Sequence, residues 1–150
     1  MHKYILDSGL ILKNGLIDLP KLQYHIKIDV GLSGNAPHSE IWTKHDPNLF
    51  VIGFEPIAKN RRMITAHNSA WPIKLDPLKL RKTVFIIPVA LSSTSYLNKL
   101  KMHITDDDPG CSSLLVPTDL KHSEFEYVSV FCLNDFFVFL IFNNINILII

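Results

Sequence analysis

Apolar and polar positions follow two periods along this chain, one suited to strands and one to helices. In "YHIKIDV" (24–30), the β-branched Ile26 and Ile28 alternate with polar residues, which predicts a strand that runs into an acid, Asp29. The segment "NAPHSEIWTKHD" (35–46) is expected to be a helix. Pro37 suits a first helical position and Pro47 marks the stop. "LFVIGF" (49–54) is apolar throughout, the pattern of a parallel strand covered on both faces. "IAKNRRMITAHN" (57–68) places Ile57, Arg61 and Ile64 at helical spacing. Pro72 and Pro77 break 69–82 into a loop with a short turn, and "TVFIIPVAL" (83–91) reads as a third strand.

Beyond 92 the pattern changes. Leu100, Met102 and Ile104 alternate with polar residues, "DDDPG" (106–110) is an acidic turn, and "EYVSVFCL" (126–133) alternates again. "LNDFFVFL" (133–140) can open a helix with Asn134 as its cap, and "INILII" (145–150) is strand-like. Strand, helix, strand, helix, strand is the signature of right-handed βαβ units and an α/β sheet. The chain therefore divides into a lead-in over 1–23, a βαβαβ half over 24–92, and an insertion with the start of a fourth strand over 93–150.

Composition narrows the class. The 150 residues are about one domain. With 47% hydrophobic and 19% charged residues the chain is a folder, not a disordered tail. A formal charge of +1 with interspersed signs gives no electrostatic case for nucleic acid or an anionic membrane surface. Cys111 and Cys132 are too few for a disulfide framework and lack metal spacing, which suits a reducing, cytoplasmic compartment. Asp7 and Lys13 interrupt the apolar residues that a signal peptide would need. The apolar tail "FFVFLIFNNINILII" carries three asparagines and falls short of the about 20 apolar residues of a membrane helix. It is expected to be a core helix followed by a core strand.

In open α/β sheets ligands bind outside the carboxyl ends of the strands. The first two strand ends each carry an acid, Asp29 and Glu55. Gly31 and Gly34 allow a sharp turn and a close backbone approach to a ligand. A carboxylate after the second strand can accept both hydroxyls of a ribose. Gly31, Leu32, Ser33, Gly34, Asn35 and Ala36 do not match the G-x-G-x-x-G of nicotinamide sites, which disfavours an oxidoreductase. Asp29, just before the first glycine, would repel a pyrophosphate and attract a sulfonium or ammonium. It would orient loop amides or meet the cationic end of a ligand through water.

On these residues the chain resembles the FkbM-type S-adenosylmethionine-dependent methyltransferases, with the class I Rossmann-like fold. The resemblance runs from about Tyr24 to the end. It is carried by "IDVGLSGNAPHS", "VIGFEP" with Asn60 downstream, "IPVALS", and "GCSSLLVP" followed by "VSVFCLNDFF". It implies adenosyl binding by Gly31, ribose contact by Glu55, and adenine packing near Ile57 and Ala90. It implies that Asp108, Gly110, Ser112 and Ser113 line the cofactor or acceptor mouth. Asp29, Ser33 and Asn35 complete the cofactor-binding set, although the commoner loop has glycine at Ser33 and often at Asn35. The implied reaction is O-methylation of a sugar or similar small metabolite. The alternative is a non-catalytic Rossmann-like remnant or nucleotide-binding domain.

In that family strand four leads into an acidic acceptor-site segment and three further strands. Here "INILII" is expected to be strand four, so the sheet is expected to be incomplete, with an open edge prone to self-association.

Other residues have plainer expectations. "DDDPG" is a solvated turn whose adjacent acids do not converge on a metal. His38 and His103 are structural or exposed, and no histidine reads as a general base. Arg61 and Arg62 form a solvated helix face, and Trp42 and Trp71 are packing residues. Cys111 lacks a paired base and is no nucleophile.

Overall fold

The computed structural model of the protein describes residues 12–13, 16–17, 25–46, 48–66, 84–93, 99–105, 112–115 and 123–132. Within these, the centre is a parallel three-stranded sheet. β3 (His25–Val30) pairs with β4 (Leu49–Phe54), and β4 pairs with β5 (Val84–Ile87). Helix α1 (Pro37–His45) connects β3 to β4, and α2 (Ala58–Ala66) follows β4. The α/β alternation read from the sequence is therefore present over the first half of the chain. A short antiparallel pair, β1 (Leu12–Lys13) with β2 (Leu16–Ile17), lies in the lead-in.

The apolar run of β4 is buried at all six positions, as a central parallel strand requires. Each buried aliphatic or aromatic side chain of this kind contributes about 1.5–3 kcal/mol relative to exposure. Leu32, Ala36, Leu49, Val51, Ile64 and Val84 form one cluster, with Trp42 and Ile86 packed on it. The Trp42 expectation is met: its ring also lies under Lys27 Nζ, 4.7 Å from the centroid.

Two predicted strands are in fact broken. The run over 83–91 is divided at Pro88 and Val89 into β5 and β6 (Ala90–Ser92). Proline has no N–H for a sheet ladder, and the Val89 N–H folds back onto Ile87 O at 2.9 Å. The run over 126–133 is divided at Ser129 into β8 (Ser123–Val128) and β9 (Val130–Cys132). The break lets the chain change partners. β8 is antiparallel to β7 (Leu100–Thr105), whereas β9 is parallel to β6. The alternation of Leu100, Met102 and Ile104 is thus a strand. Leu100 and Met102 pack, with Leu114, on a second cluster formed by Ala90, Val128 and Val130.

The opposite face of that ribbon carries Lys101, His103, Phe125 and Tyr127. Phe125 and Tyr127 are exposed and meet edge to face at 5.8 Å. His103 is buried, and its backbone pairs with Ser113. Cys132 is a buried thiol.

The expected loop over 69–82 with Trp71, the acidic turn with Asp108 and Gly110, and Cys111 lie outside the described residues. So do the helix at Asn134 and the strand-like 145–150 with its expected open edge. Among the described residues no helix is long and apolar enough to cross a membrane.

Candidate functional site

Register places the two acids. Asp29 is the partner of Gly53, and Val30 is the partner of Phe54, so Glu55 follows directly after the paired segment. Both carboxylates thus stand at the carboxyl ends of neighbouring parallel strands. Between them the chain leaves β3 through Gly31 at φ 80, which supplies the left-handed turn that a Cβ would resist. The N–H groups of Gly31 and Leu32 both reach Phe54 O, at 2.9 and 3.2 Å. These bonds pin the turn across the end of β4.

Glu55 is the centre of this arrangement. Its Oε2 accepts the Ser33 N–H at 2.8 Å and its Oε1 accepts the Ile57 N–H at 2.9 Å. The buried Asn60 side chain helps to hold the pKa of this carboxylate down. The Glu55 N–H donates to Ile87 O at 3.1 Å, continuing the β4–β5 pairing by one residue, and the same carbonyl accepts the Val89 N–H. One carboxylate therefore joins the turn after β3, the start of α2 and, through its backbone, the end of β5. Burial raises the Glu55 pKa, opposed by the Ile57 and Ser33 N–H groups, Asn60 and the Arg61 charge.

Asp29 plays a related part toward α1. No side chain of the N-cap residue Ala36 caps this helix. Asp29 Oδ2 instead accepts the Ser39 hydroxyl at 2.5 Å. Burial raises the Asp29 pKa, against the Ser39 hydroxyl, the neighbouring His38 and the Ser39 N–H. The amino end of α1, where a helix would hold an anion, is already served by a carboxylate.

Gly34 has an ordinary φ; its role is spatial, since an added Cβ would sit 3.0 Å from Met63 Cε. Ser33 and Ala36 adopt the left-handed region at φ 59 and 43. Ser33 thus takes the conformation glycine favours. Replacing a left-handed L-residue relieves about 1–2 kcal/mol, while glycine costs about 0.5–1 kcal/mol in chain entropy. Ser33→Gly is therefore expected to raise the melting temperature by a few degrees in calorimetry, and a fall would show that this turn is unstrained.

The structure brings Asp29, Gly31, Ser33, Asn35, Glu55 and Ile57 together around one turn. Gly31 and Val30 are exposed and form its solvent side, whereas Asn35, Ile57 and both acids are buried. Ala90 is buried in the second cluster, beside Val128 and Val130. Ser112 lies beside β7, where its Oγ accepts the Thr105 N–H at 3.4 Å.

One sequence expectation needs correction. Arg62 is exposed, but Arg61 is not a solvated residue: it is half-buried and donates to the carbonyls of Glu55, at 2.9 Å, and Pro56. Burial lowers its pKa, which Glu126 and Glu55 oppose. A second feature was not found from sequence at all. Gly53 lies under Leu32, with no room for a Cβ. Its only signal was a glycine inside an otherwise apolar strand, a mark of close approach.

Among the described residues no group of three or more His, Cys, Asp or Glu side chains could hold a metal ion. No family model, curated protein or solved structure matches this chain.

Proposed function

We propose that the turn between Asp29 and Glu55 binds S-adenosylmethionine, and that the chain is a class I, FkbM-type methyltransferase domain acting on a hydroxyl of a sugar or similar small metabolite. The observation that carries the reading is the pair of buried carboxylates at the ends of β3 and β4. Both have pKa values raised by burial. Buried acids with raised pKa values at the carboxyl ends of parallel strands, where such sheets bind ligands, support a ligand site.

The donor set fits an adenosyl group better than a dinucleotide. Asp29 already serves the amino end of α1, so a pyrophosphate there would meet a like charge. A sulfonium or ammonium would meet an opposite one. Each Glu55 oxygen accepts one backbone N–H and keeps a further lone pair for a hydroxyl. The carboxylate is 2% exposed, so ribose contact requires the Ser33 turn to lift. Gly31, exposed and without a side chain, allows the ligand close to the backbone.

Bound there, S-adenosylmethionine supplies a methyl group already activated by its sulfonium. The chain's part is positioning: Glu55 fixes the ribose and Asp29 faces the cationic end. Acceleration then comes from holding the acceptor oxygen in line.

A second reading, a non-catalytic Rossmann-like nucleotide-binding module, is favoured by the engagement of both Glu55 oxygens with backbone amides. It predicts equal affinity for adenosine and S-adenosylhomocysteine, because nothing would hold the amino-acid end.

Calorimetry with S-adenosylmethionine, S-adenosylhomocysteine, adenosine and NAD tests both. The methyltransferase reading expects either S-adenosyl compound to bind more tightly than NAD or adenosine. Tighter binding of NAD would overturn it.

A further inference from the structure

The β7–β8 ribbon carries a surface that the proposed cofactor turn does not use. Two contacts fix the ribbon just past the carboxyl ends of the parallel strands. The Ala90 N–H, after β5, donates to Ser129 O at 2.9 Å, and the Glu126 carboxylate lies 3.4 Å from the Ala58 N–H, after β4. Side chains alternate across a strand. Glu124 and Glu126 therefore share one face of β8, while Phe125 and Tyr127 share the other with their register partners His103 and Lys101. Phe125 is 53% exposed and Tyr127 is 59% exposed. Their rings stand 5.8 Å apart at 86°, and Lys101 Nζ lies 4.0 Å from the Phe125 centroid. Two perpendicular rings and a cation thus make an open corner.

We propose that this corner is a binding subsite for an acidic sugar, a hexose carrying a carboxylate or a phosphate, which holds a part of the acceptor remote from the reacting hydroxyl. The choice of a sugar rests on the methyltransferase reading; the ligand's size and charge rest on the corner itself. The two half-exposed rings offer about 200 Å² of apolar surface, whereas a stable protein interface needs about 800 Å² from each partner. A second copy of the chain is therefore too large an occupant, and one sugar ring is the right size. Rings at a right angle give a flat nucleobase no parallel slot. They give a puckered sugar one wall for its C–H face and another for its edge, with the Tyr127 hydroxyl beside them. Charge decides the rest. Lys101 is exposed, and among the described residues no carboxylate pairs with it and no acid shares its face. An anion gains a charge-assisted hydrogen bond there, and a cation is repelled.

The test is amide NMR of the labelled chain without cofactor, titrated with glucuronate, glucose 6-phosphate, glucose, inorganic phosphate and AMP. At least one acidic sugar should give saturable shifts at Lys101, Phe125 and Tyr127, and the tighter of the two tells carboxylate from phosphate. Glucose, which lacks the charge, and inorganic phosphate, which lacks the ring, should each bind about tenfold more weakly or worse. Two exposed positions separate the wall from the charge without unfolding the chain. Tyr127→Ala should weaken the acidic sugar by about tenfold, and Tyr127→Phe should keep most of its affinity. Lys101→Gln should bring the acidic sugar down to the level of glucose and leave glucose unchanged. Glucose binding as tightly as both acidic sugars would overturn the proposal, as would phosphate matching glucose 6-phosphate or AMP exceeding both sugars. No ribbon shifts with any sugar, or ribbon shifts that grow with protein concentration alone, would overturn it too, the latter in favour of self-association. S-adenosylhomocysteine, titrated separately, reads the turn at Gly31 and Ser33. Binding of an acidic sugar but no S-adenosyl compound would keep the corner and remove the methyltransferase reading. Binding of S-adenosylhomocysteine but no acidic sugar would remove the corner alone.

Discussion

Glu55→Ala is expected to cost about 2–5 kcal/mol of stability, because it strands two N–H groups at once, each worth about 1–3 kcal/mol when left unpaired. The Ser33 and Ile57 N–H groups both end on this carboxylate. A domain of this size has only about 5–15 kcal/mol in total. Glu55→Gln should cost about half as much. Its carbonyl can still accept one N–H, but its NH2 then faces the other, donor against donor. A residue that only touched ribose would behave differently, since its removal would weaken the ligand and leave stability alone. Here both quantities should fall, with S-adenosylhomocysteine binding weaker by about tenfold or more in either variant. Chemical denaturation beside calorimetry separates the two effects. An alanine variant as stable as the parent would show that the carboxylate does not hold the turn.

Gly53→Ala is expected to be nearly as damaging, although it adds a single methyl. The new Cβ would fall 2.5 Å from Leu32 Cδ1, 2.8 Å from Cδ2 and 2.9 Å from Cγ. Leu32 is 1% exposed and belongs to the main cluster, so it has little space to retreat into. Overpacking of this kind costs about 1–3 kcal/mol. Leu32 also lies in the turn that passes from Gly31 to Ser33, so the strain reaches the proposed ligand site. Trimming the obstacle should help: Gly53→Ala with Leu32→Val should be more stable than the sum of the single effects. Strict additivity in that double-mutant cycle would mean that the two residues do not compete for the same space.

The central βαβαβ pattern was legible because burial on both faces leaves a plain mark. The unbroken apolar run over 49–54 is a fully buried strand, and Pro37 stands at the start of α1. The strand-end acids were legible for the same topological reason. What the acids touch was not. Local sequence cannot show that Asp29 would serve Ser39 or that Glu55 would gather amides from two loops, because those bonds depend on register between β3 and β4. The face α1 buries was hidden for that reason too. The helix turns Ser39, Glu40 and Thr43 inward and leaves Ile41 exposed, against its own hydrophobic pattern. Asp29 satisfies the Ser39 hydroxyl and Thr43 back-bonds to the Ser39 and Glu40 carbonyls, while the Glu40 carboxylate pairs with Lys44 at 2.6 Å. The breaks at Pro88 and Ser129 were passed over for a similar reason. The apolar alternation continues through both, while the hydrogen-bond partners change.

The central claim is that an adenosyl ligand binds at the turn between β3 and α1, against Glu55. Amide NMR of the labelled protein, titrated with S-adenosylhomocysteine, tests it most directly. The account predicts saturable shifts at Gly31, Ser33, Gly34, Asn35 and Ile57, largest at Ser33, whose N–H must leave Glu55. The β7–β8 ribbon, read at Lys101 and Tyr127, should change little. Shifts centred on that ribbon, or no shifts at millimolar ligand, would contradict it.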